Sequence, residues 1–350
     1  MPELPDIELY VEALNARVRG QPLLAARLGS PFLLRSADPP LASAHGKRIL
    51  GIRRVEKRLV FALEDDLFLV LHLMVAGRLH WKEPGAKLPG RVGLLALDFP
   101  AGTLTLTEAG TKRRAALHLV RGEAGVAALG RGGIDPLSAS VEAFGAALRR
   151  ENHTLKRALT DQRFLSGIGN AYSDEILHAA RLSPVKLTSR LGDDEVARLH
   201  AATRAVLVRW QDLLRAEAGG EFPEGVTAFR PEMAVHGKFR QACPVCGTAI
   251  QRIQRAENEV DYCPRCQTGG QILSDRSLAR LLKEDWPRTI EELEKNAALG
   301  LRGQGPRPAE RSSSGPHPGS GAVRPPPPPK KPRPARKQKP AAKPPEEKEP

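Results

Sequence analysis

Aromatic residues make up only 4% of this 350-residue chain, which argues against a recognition surface of many stacked rings. Cysteine is also scarce: four residues are too few to staple a scaffold of this length with disulfides. The longest apolar stretch, Leu67 to Gly77, is interrupted by His72 and falls far short of the ~20 residues a membrane helix needs. The opening Met1-Pro2-Glu3-Leu4-Pro5-Asp6 is acidic and polar where a secretory leader is basic and then apolar, so secretion is disfavoured. No internal repeat is visible. Acid is short relative to base, with 40 Asp and Glu against 54 Lys and Arg, a net charge of +14. Such a field attracts polyanions, so nucleic acid and anionic membrane surfaces are the first partner classes; it says nothing about fold. Hydrophobic residues at 41% allow roughly two or three domains with real cores and exclude wholesale disorder.

Residues 301–350 hold 15 of the 31 prolines, including the run Pro325 to Pro329. That segment cannot bury apolar surface and is expected to be a disordered, partly extended tail. Its 12 basic and 4 acidic residues give +8, which leaves +6 for the other 300 residues. In the body, Ile7, Tyr10, Val11, Leu14 and Val18 follow one helical face behind Pro5, and Gly20 ends the helix. From about Leu23 to Val120 the pattern changes to short apolar runs bounded by Gly, Pro and Asp pairs: Leu59 to Leu63, Leu67 to Leu73, Val92 to Leu97 and Leu104 to Thr107. These predict antiparallel strands in a sandwich or barrel. Residues 136–218 return to helical spacing, with Val141, Phe144 and Leu148 followed by Val196, Leu199, Leu207, Trp210 and Leu214.

Cys243-Pro-Val-Cys246 and Cys263-Pro-Arg-Cys266 are two C-x-x-C pairs separated by 16 residues. That spacing lets two knuckles converge four thiolates into the closed tetrahedron of one structural Zn²⁺. A paired redox dithiol is the competing reading, but such motifs do not come doubled at ribbon spacing. The site leaves no open coordination position, so the zinc would hold a β-hairpin rather than catalyse. Basic residues there, Arg240, Arg252, Arg255 and Arg265, could face a phosphate backbone.

Pro2 follows the initiator Met, which is generally removed before a small residue. The exposed secondary amine, with an α-amino pKa of ~7.7–8.0, would be partly unprotonated near neutrality and able to attack an electrophilic carbon. Glu3 beside it could donate and accept protons. On these residues alone, a proline and acids opening a helix are equally what capping and the macrodipole favour.

Met1-Pro2-Glu3-Leu4-Pro5-Asp6-Ile7-Glu8 resembles the opening signature of the formamidopyrimidine-DNA glycosylase and endonuclease VIII family. Leu165 to Leu177, containing Gly167-Ile168-Gly169-Asn170, is similar to that family's helix–two-turn–helix element, and His236 to Gln267 to its zinc finger. The three matches stand in the family's order. The resemblance implies an α+β multidomain protein: a β-sandwich with a flanking helix over residues 1–125, a helix–two-turn–helix domain over 136–225 and a zinc finger over 232–272. A helical extension over 273–300 and the tail over 301–350 complete the division. It also implies that Pro2 attacks C1′ of a damaged nucleotide, Glu3 serves as acid and base, and Lys57 is the β-hairpin lysine. Strand scission by β,δ-elimination would follow.

Five residues are expected to touch DNA. Lys156 and Asn170 would hold phosphate at the glycine turn, and Met74 and Arg113 would fill the space a flipped base vacates. Arg255 would stand in on the zinc hairpin, where the family's phosphate-binding arginine is replaced by Asn258. Ala115 likewise occupies a position where the formamidopyrimidine branch has phenylalanine. The expected protein is a monomeric, bacterial-type cytoplasmic enzyme associated with the nucleoid. Its partner would be duplex DNA with damaged bases or abasic sites, and it would use no membrane. Two alternatives stay open: a divergent glycosylase for other lesions, such as alkylated bases, and a non-catalytic binder of damaged DNA.

Overall fold

The computed structural model describes residues 1–110, 112–226, 229–255, 258–273 and 287–298. The proline-rich tail and most of the 273–300 extension lie outside the described residues. Helix α1 (Leu4–Val18) opens the chain, with Pro5 in its first turn and Ile7, Tyr10, Leu14 and Val18 fully buried on one face. Two four-stranded antiparallel sheets follow. One runs in the order β1 (Ala25–Leu28), β6 (Gly93–Phe99), β7 (Gly102–Glu108), β5 (Gly77–Lys82). The other runs β2 (Ile49–Val55), β3 (Arg58–Leu63), β4 (Leu67–His72), β8 (Ala116–Arg121).

Alternation along β3 sends Leu59, Phe61 and Leu63 into the core between the sheets, while Val60 faces outward. Helix α2 (Gly122–Leu129) covers that outer face with Val126, against Val60, Phe68 and Val70. Strand β4 is thus buried on both sides, which is why its sequence is a continuous apolar run instead of an alternating one. The register matters for function. The pairs Arg58 with His72, His72 with Ala116, and Gly77 with Glu108 put three connections at the same end of the sandwich: the β2–β3 turn, the β4–β5 turn and the β7–β8 loop.

The helical part comprises α3 (Val141–Arg149), α4 (Leu155–Thr160), α5 (Asn170–Ala179) and α6 (Asp193–Ala218). Ser140 caps α3 by accepting the Ala143 N–H at 3.2 Å, and Gly219, at φ +55°, turns the chain out of α6. The connector after α6 then returns to the sandwich. Phe222 packs between Tyr10 and Trp81 at ring distances of 5.8 and 6.3 Å, and Val226 joins the same core. A hairpin of β9 (Gln251–Arg255) and β10 (Asn258–Tyr262), short helix α7 (Pro264–Thr268) and helix α8 (Ile290–Ala298) complete the fold. The sandwich, helical region and hairpin agree with the expected architecture. No helix among the described residues is long and apolar enough to cross a membrane.

Candidate active site

The N-terminal ends of two helices meet. The Leu4 N–H donates to the Gly167 carbonyl at 2.9 Å, which docks the start of α1 on the glycine turn before α5. Gly167 takes φ +85° there, and a Cβ on it would lie 2.9 Å from Leu4 Cβ, so both the backbone and the close approach require glycine. The Glu3 carboxylate crosses to the first turn of α5. It accepts N–H groups from Gly169 at 2.6 Å, Ala171 at 2.9 Å and Tyr172 at 3.3 Å. These donors would otherwise be orphans of the helix start, and the dipole there favours an anion. Glu3 is 2% exposed and rigidly placed next to Pro2.

Lys57 projects from the β2–β3 turn and is 5% exposed. Gly169 is what gives it room: a Cβ there would sit 2.5 Å from Glu3 Cδ and 2.7 Å from Lys57 Nζ. Burial holds the Lys57 ammonium below its ordinary value, against the opposing pull of Glu3 and Glu56. Burial likewise lowers the terminal amine of Met1. Asp6, which accepts the Glu3 N–H at 2.9 Å, is pushed up to about 7 by desolvation, and its Oδ1 has no partner. Met1, Lys57, Lys156, Arg157, Gly169 and Asn170 open onto one cleft of about 440 Å³, whose facing wall is Ile253 and Val260 of the zinc hairpin.

The remaining DNA candidates are placed unevenly. Lys156 donates to the Asn170 carbonyl and to Asp174 Oδ1, both at 2.6 Å, and is largely buried. Asn170 sends its amide Nδ2 to the Glu259 carbonyl at 2.9 Å, which ties α5 to the hairpin. Met74 sits in the β4–β5 turn at φ +53°, its N–H donating to His72 Nδ1 at 3.0 Å. His72 is held neutral for that role, because burial pushes it down to about 4. Arg113 is exposed in the β7–β8 loop at the same end of the sandwich. Neither Met74 nor Arg113 lines the cleft. The side chains of Arg255 and Asn258 lie outside the described residues.

Some contributors carried no signal in the sequence. Arg54, with a side chain only 6% exposed, joins Glu8 of α1 at 2.6 Å to Asp135 and, at 3.4 Å, to Ser166 beside the glycine turn. His178, near the end of α5, places Nε2 3.3 Å from Cys243 Sγ. Glu175 accepts the N–H groups of Ala234, Val235 and His236 at 2.8–3.0 Å and fixes the chain entering the finger. Asp174, His236 and Asp261 also converge. Lys156 and Arg252 already supply cations to those carboxylates, so the cluster is an ion network between α5 and the hairpin.

The four cysteines are unpaired thiols whose Sγ atoms cluster, with Cys246 to Cys263 at 3.4 Å and Cys243 to Cys266 at 3.9 Å. A tetrahedron with Zn–S bonds of ~2.3 Å needs S···S separations of about 3.8 Å, so this donor set fits one structural zinc.

Residues 1–115 match the formamidopyrimidine-DNA glycosylase N-terminal domain, 133–212 the formamidopyrimidine-DNA glycosylase H2TH domain, and 240–269 the zinc finger found in FPG and IleRS. A formamidopyrimidine-DNA glycosylase of Variovorax paradoxus is 32% identical over 276 residues, which span 76% of this chain and 100% of the relative. The chain belongs to the formamidopyrimidine-DNA glycosylase family. A Thermus thermophilus member of the family is 34% identical over 77% of this chain and 100% of its own length. Among solved structures, the complex of Lactococcus lactis Fpg with DNA containing an abasic site superposes with a TM-score of 0.67 at 25% identity. It covers 76% of this chain and 99% of the other.

Proposed function

We propose that this protein is a base-excision-repair DNA glycosylase with abasic-site lyase activity, acting on oxidised or ring-opened bases in duplex DNA. The observation that carries the reading is the Glu3 carboxylate, next to Pro2 in the chain and held by three amides, standing with buried Lys57 against Gly169 beside a cleft that Met1 and Lys57 line. Once Met1 is removed, the Pro2 nitrogen becomes a secondary amine in a buried, lysine-flanked position that favours its neutral form. Its lone pair forms a bond to C1′ while the glycosidic electron pair leaves with the base. The Glu3 carboxylate takes the proton that the Pro2 nitrogen sheds on bonding and passes it to O4′, which opens the sugar to the iminium. Loss of a 2′ proton then expels the 3′ phosphate, and a second elimination expels the 5′ phosphate. Lys57 places a cation where those phosphates develop leaving-group charge.

The zinc organises the hairpin wall of the cleft and has no open position for chemistry. We assign residues 1–125 to the catalytic sandwich, 136–225 to the helix–two-turn–helix domain and 232–272 to the finger, and place the protein at the bacterial nucleoid. The test is borohydride trapping on abasic and lesion duplexes, with Met1 removal checked by mass spectrometry. A covalent adduct in the wild type that disappears in Pro2→Gly is expected. No adduct in the correctly processed wild type, or an undiminished one in the variant, overturns the iminium mechanism. A lesion panel then separates oxidised from alkylated substrates.

A further inference from the structure

We propose that Arg157 of α4 grips a phosphate beside the reacting sugar; this rests on the glycosylase reading above. Among the described residues, the hairpin side chains that line the cleft are Ile253 and Val260. Arg252, on the hairpin's other face, is fully engaged. Nε and Nη2 bond the Asp261 carboxylate at 2.7 and 2.9 Å, and Nη1 lies 2.7 Å from Glu259 Oε2. Because Arg252 pairs across the strands with Asp261, turning it into the cleft would strand a carboxylate that is 1% exposed.

The cations on the opposite wall differ in what they can spare. Lys57 is buried beside Glu3 at the reacting end. Lys156 already serves the Asn170 carbonyl and Asp174. Arg157 is exposed and lines the same cleft, and among the described residues its guanidinium has no carboxylate or carbonyl partner. Thr154 and Thr160 line the cleft with it. A planar guanidinium at this position can take two phosphate oxygens in a fork, a geometry that an ammonium cannot reproduce. A strand whose C1′ lies at Pro2 and whose backbone follows the cleft brings a phosphate past this arginine.

The experiment uses the full chain and a duplex with one stable abasic-site analogue, with anisotropy read over a range of NaCl. Arg157→Ala should weaken binding about tenfold and lower the salt slope by roughly one. Arg157→Lys should keep the slope but recover only part of the affinity. Arg209→Ala, which removes the same charge from a separate hollow at the other end of α5, serves as the charge control. Neutral methylphosphonate is then placed at each phosphate near the lesion in turn. At one position it should cost the wild type about as much as Arg157→Ala does, and cost that variant nothing further.

Equal losses in Arg157→Ala and Arg209→Ala, or additive losses at every methylphosphonate, overturn the proposal while wild-type trapping leaves the glycosylase reading standing. A wild type that binds the duplex but forms no adduct sinks the catalytic reading, and the binding arm still decides Arg157.

Discussion

Replacing Gly169 by alanine isolates the geometry of the site from everything else. At φ −130° the backbone there accepts any residue, so no strain enters, and the only change is a methyl group. That methyl would lie 2.5 Å from Glu3 Cδ, 2.6 Å from Oε1 and 2.7 Å from Lys57 Nζ, whereas ordinary contact begins near 3.4 Å. The carboxylate must therefore retreat by roughly 0.9 Å, or the lysine must swing away, and the short Gly169 N–H bond lengthens with it. Misplacing a reacting group by about 1 Å costs on the order of 100-fold in rate, about 2.7 kcal/mol of transition-state stabilisation. Weakening a charged hydrogen bond adds roughly 1.5–3 kcal/mol at most, so a loss of about 10² to 10⁴ is expected. The assay is single-turnover cleavage of an abasic duplex at saturating enzyme, with trapping yield as a second readout. Gly51→Ala is the control, because an added Cβ there meets nothing within 4 Å. Cleavage by Gly169→Ala within threefold of wild type, at unchanged melting temperature, would refute the reasoning that Glu3 and Lys57 must both stand against this glycine.

Two further outcomes follow from buried groups on α1 and α5. Asp6 keeps its proton to about 7 in the folded protein but loses it near 3.8 when unfolded. Its contribution to stability therefore falls as pH rises from 3.8 through 7, by about 4 kcal/mol at most. Asp6→Asn should remove that slope and melt higher than wild type at pH 8; parallel melting curves from pH 5 to 8 would contradict the burial argument. His178→Phe removes the ring N–H near Cys243 while keeping the bulk, so zinc should pass to a chromogenic chelator about tenfold faster. Identical release rates would mean that the contact does not hold the metal.

The sequence was most informative where chemistry or periodicity is local. The doubled C-x-x-C, the Pro2-Glu3 pair and the alternation of β3 each declare themselves within a few residues. Strand β1 carries no pattern because all four of its residues are half-buried. Helix α2 hides behind its two glycines, and is helical because Val126 covers the outer face of β4. The site depended on contacts that no spacing encodes. Glu3 reaches amides 166 to 169 positions away, and Arg54 is enclosed by Glu8, Asp135 and Ser166, which lie 46 to 112 positions away in the chain. Asn170 and Lys156 are the residue types that hold phosphate, yet the fold uses both to join α5 to its neighbours.

Phe222 and Val226 give the sandwich a plug that is translated only after the whole helical region. Heredity and folding therefore divide this chain at different places. A recombination event that joined residues 1–125 to the remainder of another relative would separate plug from socket and leave a ring-sized void beside Tyr10 and Trp81. A crossover just after Val226 would carry both together. Viable hybrids within this lineage should accordingly exchange the finger far more freely than the sandwich.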